Sequence, residues 1–304
     1  MANPMNSASF RSIVEPILNE EFNGLYEQRD DEWEQVFRLK KGIERNYHEE
    51  PVLYGFGAAP ELPEGMPVTY DQGGVLFIAR FYYKVYGLAF ALTKVLVEDG
   101  DHIRIGQTYA RHLAQSMIET KETLCANILN RAFNASYPGG DGKELCATDH
   151  PIVGGTFSNK LATPANLSQT SLEQILVQIS QAVDNNGKKI RLKAKKLVVP
   201  PALQFQAEVL TKSVLRTGQA NNDINPVVSS TSLPDGYAKM SRLTSQTAWW
   251  VKTEAPVGLM LLMRRALEKS MEGDFDTDSM RYKSTERYIP GWVDPRDVYG
   301  TPGI

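Results

Sequence analysis

Apolar residues recur at helical spacing along residues 101–133. Successive positions lie four or seven residues apart, and neither Pro nor Gly interrupts the chain between Gln107 and Ala135. This periodicity predicts one helix of about 30 residues, roughly 45 Å long, which Asp99 or Asp101 caps and Pro138-Gly139-Gly140 ends. A helix of this length is typical of the structural spine of an elongated protein. The apolar positions are Ile105, Tyr109, Leu113, Met117, Leu124, Ile128 and Ala132.

A second, shorter helical stripe lies near the start of the chain. Its apolar positions are Phe10, Val14, Ile17, Leu18 and Phe22. Residues 1–50 carry 6 basic and 11 acidic side chains, a net charge of −5. Because one apolar stripe buries little surface by itself, we expect this acidic arm to lie on the body of its own chain or on a neighbouring subunit.

The pattern changes to prolines and glycines over residues 51–74. Four prolines and five glycines occur there, too many for a core helix or strand. The apolar residues between them would be unusual in a flexible linker. We therefore expect a long projecting hairpin centred on Pro60–Pro67, whose apolar side chains require a partner surface. These side chains are Val52, Leu53, Tyr54, Phe56, Met66, Val68 and Tyr70.

The most hydrophobic stretch, Val75–Val97, predicts a buried strand. Arg80, Lys84 and Lys94 interrupt it, so it is too short for a membrane-spanning helix. The first residues carry no secretory signal either, and we expect no contact with a membrane. Alternation places one set of side chains on the buried face. They are Phe77, Ala79, Phe81, Tyr83 and Val85.

Shorter elements follow and predict an α+β fold. A helix is expected from Ser171, its N-cap, to Val183, with Asn185-Asn186-Gly187 as its end. Pro200-Pro201 opens another helix through Gln204–Leu215. The predicted strands are Lys195–Val199, Trp249–Thr253, Gly258–Arg264 and Met280–Ile289.

Composition narrows the class of protein. Of 304 residues, 42% are hydrophobic and 23% charged, which is typical of a folded chain. Two cysteines exclude a disulfide scaffold and fit a reducing compartment. The net charge of −3 argues against a dedicated nucleic-acid-binding protein.

One strongly basic stretch, residues 188–196, offers two interpretations. It places six basic side chains in nine positions, which would suit phosphate binding. No aromatic residue lies in the stretch to stack on bases. Ile190, Leu192 and Ala194 alternate with the charges, so a solvated edge leading into a strand is the preferred interpretation.

Cys146, Asp149 and His150 are the best candidates for chemistry, with Cys125 upstream. They could belong to a soluble enzyme with a Cys–His pair, which a His150→Ala variant would inactivate. The spacing does not match a metal site, and no phosphate loop, nucleophile elbow or dinucleotide fingerprint occurs. We therefore predict no catalytic, cofactor-binding or metal-binding residues, and a structural role rather than an enzyme.

Four stretches in order carry a resemblance to the major capsid proteins of tailed bacteriophages, and most closely to the Mu-like major head subunit. The similarity extends over most of residues 50–300. The four stretches are Leu92–Gly100 before the long helix, Asp141–Pro151 after it, Leu197–Leu203, and Gly291–Gly300. Asn159 follows the second stretch, Ala207 and Leu210 follow the third, and Arg287 precedes the fourth.

The resemblance implies the Hong Kong-type phage capsid fold. It divides the chain into an N-terminal arm (1–50), an extended loop (51–80), a peripheral domain with the spine helix (81–165, with return strands 272–304) and an axial domain (166–271). It implies self-assembly through pentamers and hexamers into an icosahedral shell around double-stranded DNA, which is bound without sequence specificity. A nanocompartment shell of the same fold, enclosing cargo enzymes, is the alternative.

The resemblance also implies further partners: a portal, possible decoration proteins, and a virion location after assembly in the host cytoplasm. Two departures from the family matter. Some relatives crosslink their shells through a Lys of the extended loop, but residues 46–83 contain no Lys. The short arm leads us to expect a separate scaffolding protein or an already processed chain.

Overall fold

The computed structural model describes residues 7–27, 31–42, 45–93, 96, 102–215, 223–274 and 279–304. The α-helices are α1 (Ser7–Glu27), α2 (His102–Asn130), α3 (Gln169–Ser180), α4 (Gln204–Lys212) and α5 (Pro226–Ser229). The first strands are β1 (Arg38–Lys40), β2 (Tyr47–Tyr54), β3 (Gly74–Tyr82), β4 (Lys84–Thr93), β5 (His150–Ile152) and β6 (Gly155–Phe157). The remaining strands are β7 (Ala194–Val199), β8 (Tyr237–Lys239), β9 (Trp249–Thr253), β10 (Leu259–Asp274), β11 (Ser279–Trp292) and β12 (Val298–Thr301).

Two four-stranded sheets organise the body. The first has the order β1-β10-β11-β4, and its centre is the long antiparallel hairpin of β10 and β11. The second has the order β12-β9-β7-β8. The predicted boundaries of the peripheral and axial domains disagree with the sheet membership of two strands. β10 lies in the first sheet although most of it falls in 166–271, and β12 lies in the second although it falls in 272–304.

The acidic arm lies on its own chain. Val14, Leu18 and Phe22 are buried on one face of α1, as a helical stripe predicts. They form one apolar cluster with α2, including Leu113 and Met117, and with side chains of β10 and β11. Of the two alternatives left open by the sequence, the described structure shows the contact within the chain.

The spine helix α2 is present but differs in its end and its face. It ends at Asn130, followed by turns, rather than at 133. The predicted caps Asp99 and Asp101 lie outside the described residues. Leu113 and Met117 are buried as predicted, and Ala110, Ala114 and Ile118 widen the buried face beside them, whereas Tyr109 is exposed. Alanines were overlooked because they are small, although they let neighbouring elements approach closely.

The predicted buried strand Val75–Val97 is wrong in two respects. The chain changes sheets at Tyr83, because β3 pairs with β2 whereas β4 pairs with β11. Ala79 and Tyr83 are buried as predicted, but Val85 is exposed. The alternating face of one strand therefore does not continue into the next.

Boundaries of several other elements also shift. Ser168, not Ser171, is the N-cap of α3, and Ser171 completes a capping box three residues later. That helix ends at Ser180, and Asn185-Asn186-Gly187 belongs to a separate turn closed by Asp184 N–H donating to Lys188 O at 2.7 Å. Helix α4 ends at Lys212 instead of Leu215.

Strand positions are predicted more accurately than strand lengths. Lys195–Val199 and Trp249–Thr253 agree with β7 and β9 to within one residue. Gly258–Arg264 and Met280–Ile289 are only parts of the much longer β10 and β11. In the described part of the chain, no helix is long and apolar enough to cross a membrane.

Candidate assembly surfaces

The hairpin formed by β2 and β3 projects from the body with an apolar tip. The two strands pair from Tyr47 with Tyr82 to Tyr54 with Gly74, and every residue from 55 to 73 is exposed. The tip turns at Pro63–Met66, where Met66 N–H donates to Pro63 O at 3.1 Å and Gly65 has a φ of +83°. This positive φ suits Gly at the third turn position. The hairpin centred on Pro60–Pro67 is thus confirmed.

No part of the described chain covers the apolar side chains of the tip. Tyr70 is 95% exposed, an extreme value for a large aromatic side chain. Its neighbours Phe56, Leu62, Met66 and Val68 are also exposed. Exposed apolar surface of this extent typically marks a contact with another molecule.

The base of the hairpin rests on the turn after α3. Asn185 Nδ2 donates to Leu53 O at 2.7 Å, and Asn186 Nδ2 donates to Gly55 O at 2.5 Å. Lys188 Nζ donates to Gly57 O at 2.7 Å and also to Phe56 O. These bonds hold the base, so the hairpin leaves the body in a defined direction.

The basic stretch 188–196 has two structural roles: some of its side chains bond to other segments, and others lie in solvent. Its first residue, Lys188, supports the hairpin, and Lys196 Nζ donates to Gln35 O at 3.2 Å. Lys189, Arg191 and Lys193 lie exposed along an extended segment. This arrangement matches the solvated edge that leads into β7, the preferred interpretation from the sequence.

A further exposed apolar patch lies on and after α4. Phe205 is 77% exposed, and Val209 lies one turn later on the same helix. Beyond the helix, Leu215 bridges to Ile224, and Val214 is exposed beside them. This patch is not among the surfaces predicted from the sequence. The signal was available, because α4 carries apolar residues on the face opposite its buried Ala207 and Leu210.

The residues considered as candidates for catalysis have structural roles instead. Cys146 and Cys125 are fully buried, and burial raises the pKa of both thiols, which opposes thiolate formation. Asp149 pairs with Lys143, so it is not the partner of His150. The residues described contain no cluster of three or more potential metal ligands.

His150 instead belongs to a buried hydrogen-bond network. Its Nδ1 lies 2.6 Å from Asp141 Oδ2, and its ring stacks on Phe157. Its Nε2 lies 3.1 Å from Asn159 Oδ1. Asp141, His150 and Asn159 all come from the stretch that carries the family resemblance, and together they fix the loop after α2.

The family model described as phage capsid protein matches residues 84–300. No curated protein sequence matches the chain. The match begins at the first residue of β4, so the arm and the hairpin lie outside it.

Solved structures with the same fold include phage capsids and a virus-like particle. The cyanophage P-SCSP1u capsid is 11% identical with a TM-score of 0.54, and 88% of this chain and 86% of that chain are covered. The mature capsid of bacteriophage PhiM1 is 11% identical with a TM-score of 0.53, covering 90% and 87%. A virus-like particle from Pyrococcus furiosus is 9% identical with a TM-score of 0.52, covering 94% and 98%.

These similarities identify the fold as the Hong Kong-type phage capsid fold, a mixed arrangement of helices and sheets. The family match includes every strand of the two sheets except β1, and it ends at Gly300 within β12. The chain belongs to the phage capsid protein family.

Proposed function

We propose that copies of this chain assemble as pentamers and hexamers into an icosahedral shell that encloses double-stranded DNA. The observation that carries the proposal is the projecting hairpin, whose apolar tip from 55 to 73 is exposed throughout. A shell needs contacts between unlike surfaces of neighbouring copies. A hairpin that reaches from one copy onto the next supplies such a contact.

We propose that the chain has the same four parts as other members of the family. We propose that 1–50 is the arm, 51–80 the extended loop, and that the sheet of β4, β10 and β11 forms the peripheral part with α2. The sheet of β7, β8, β9 and β12 forms the axial part. In this arrangement the apolar patch around Phe205 lies on the axial part, where copies would meet around the ring.

The surroundings of the chemical residues support a structural protein over an enzyme. Cys146 and His150 are completely buried, so a substrate could not reach them.

We propose a portal, a separate scaffolding protein and decoration proteins as further partners, with assembly in the host cytoplasm. A nanocompartment shell of the same fold is the second candidate, but the phage capsid family match and the capsid structures favour the phage shell.

Electron microscopy of the purified protein tests the proposal directly. We expect closed particles, or rings of five and six copies, from the unaltered chain. A strictly monomeric protein at every concentration and salt level would contradict it. Nuclease-resistant DNA inside particles from phage-producing cells would distinguish a phage shell from a nanocompartment.

A variant of the hairpin tip tests whether the tip is a contact between copies of the chain. Replacing Leu62, Met66, Val68 and Tyr70 by Ser removes side chains that each contribute about 1.5–3 kcal/mol when fully buried. We expect unchanged thermal unfolding of the single chain and a loss of closed particles in micrographs. The control is Val177→Ser on α3, another exposed apolar position, which should still assemble. Normal shells from the tip variant would rule out the tip as an assembly contact.

A further inference from the structure

Two acidic side chains come together where the arm joins the spine helix. Asp31 precedes the short 3-10 turn Glu32–Gln35, and Glu122 lies on α2. Glu122 is only 3% exposed. Its Oε1 accepts the Trp33 N–H at 3.4 Å, whereas its Oε2 is buried and has no hydrogen-bond partner among the described residues. Asp31 Oδ1 is likewise buried and unpartnered.

The segment that these carboxyl groups touch is an anchor of the arm. Trp33, Val36 and Phe37 are buried in the main apolar core, in one cluster with Cys125 and Leu129 of α2. The Trp33 indole Nε1–H donates to Asp31 Oδ2 at 3.0 Å. The backbone and the side chain of one tryptophan therefore bind one carboxyl group each.

The charges around Glu122 come from several elements. Asp31 and Glu32 belong to the turn, and Arg242 comes from the segment after β8. Arg242 lies 3.5 Å from Glu32 and also binds Glu119, so it is shared between two other carboxyl groups. On α2 itself, Lys121 binds Glu286 at 3.1 Å and Cys125 is a buried thiol. Tyr26 of α1 faces Asp31 and is bonded to Glu286.

The net effect of these surroundings favours a proton on Glu122. Burial is the largest cause, the charges of Asp31 and Glu32 add to it, and the backbone N–H groups of Trp33 and Glu32 oppose it only in part. Together they raise the pKa of Glu122 to about 7. At neutral pH the group is therefore divided between a neutral acid and a buried anion.

We propose that Asp31 and Glu122 form a proton-operated latch that attaches segment 31–37 to the spine helix. With its proton, Glu122 is neutral and its hydroxyl can satisfy a buried acceptor such as the Asp31 carboxylate. When the proton leaves to solvent, two like charges remain in a buried site with too few donors, and the segment loosens. The latch lies within one chain, so it does not depend on shell formation.

The direction of the pH effect follows from linkage. The pKa is higher with the segment attached than when Glu122 is solvated, so the attached state binds the proton more tightly. Attachment is therefore strongest at low pH, weakens as pH rises from about 4.5 to 7, and is constant above that range. The same reasoning predicts that segment 31–37 stays attached in Glu122→Gln at both low and high pH.

Hydrogen exchange of backbone amides in segment 31–37 tests the latch on the full chain. Wild type, Glu122→Gln and the exposed control Glu34→Gln are compared at pH 5 and again at pH 8, so that intrinsic exchange rates cancel. At pH 8 we expect exchange at least about tenfold faster in wild type and Glu34→Gln than in Glu122→Gln. At pH 5 the three proteins should differ little.

Asp31→Asn provides an independent variant, because it leaves only one of the two charges. We expect it to resemble Glu122→Gln at pH 8. Equal exchange of wild type and Glu122→Gln at pH 8 would overturn the latch. Loss of protection in Glu122→Gln already at pH 5 would overturn it as well, because Glu122 would then be a fixed anchor.

Discussion

Asn159 connects three separate parts of the chain through one buried side chain. Its Nδ2 lies 2.7 Å from Leu145 O, 2.9 Å from Pro295 O and 2.9 Å from Val298 O. Its Oδ1 accepts the Ala147 N–H at 2.9 Å. The loop after the spine helix is thereby joined to the chain end that forms β12.

Replacing Asn159 by Ala should destabilise the chain by at least about 2 kcal/mol. The reason is that several buried backbone groups would lose their partner at once, and each unsatisfied group costs about 1–3 kcal/mol. Urea unfolding of the single chain measures the loss. Asn134→Ala is the matched control, because Asn134 is exposed and its Oδ1 accepts only the Ser136 N–H among the bonds of the described chain. Equal losses in the two variants would contradict the role of Asn159.

The same network shows that residues adjacent in sequence need not be hydrogen-bond partners. Asp149 directly precedes His150, and this adjacency predicts that the two side chains share a site. The structure pairs His150 with Asp141 and Asn159, each nine residues away, because the strands β5 and β6 turn the loop back on itself. The motif was recognisable from the sequence, but the partner of each side chain depends on the path of the loop.

At the scale of elements, the arm helix meets the spine helix at a close approach. A side chain at Gly106 would lie only 3.1 Å from Leu18 Cδ2, so α1 sits directly over this glycine. Arg111 Nε donates to Glu21 Oε2 at 2.8 Å at the edge of the contact. The buried stripe supplies most of the attachment, because exposed ion pairs typically contribute less than about 1 kcal/mol.

Leu18→Ala should therefore loosen the arm helix without unfolding the body. Leu-to-Ala changes in a core cost about 2–5 kcal/mol. Because the loss falls on α1, amides of α1 should exchange at least about 30-fold faster, while amides of β9 and β10 keep their protection. Glu20→Ala, at an exposed position of the same helix, should behave as wild type. Unchanged exchange in α1 of Leu18→Ala would show that other contacts hold the arm.

Periodicity predicted these two helices, whereas sheet membership could not be predicted from it. The stripe of α1 agrees with its buried face, since helical spacing alone determines which side chains share a face. The change of sheets at Tyr83 and the sixteen-residue length of β10 depend on strands distant in sequence. Their exposed, partly polar faces give no local signal of where pairing ends.

For the whole molecule, the apolar surface is distributed between several buried clusters and several uncovered projections. The largest cluster joins both sheets with α2, a second packs α3 and α4 on the second sheet, and a third joins α1 with α2. The hairpin tip and the patch around Phe205 stay uncovered. A chain of 304 residues that leaves this much apolar surface exposed is suited to burying it in an assembly.

The composition of the hairpin predicts how an assembled shell would hold together. A crosslink through a lysine of the extended loop is impossible in residues 46–83, which contain none. The shell must therefore rely on many weak contacts acting together, unless another segment supplies a covalent bond. We expect assembled particles boiled in detergent and reductant to run as a single band near 33.9 kDa. Particles treated with an amine-reactive crosslinker serve as the control that ladders can be detected. A ladder from untreated particles would contradict the prediction and would place a covalent bond between subunits elsewhere in the chain.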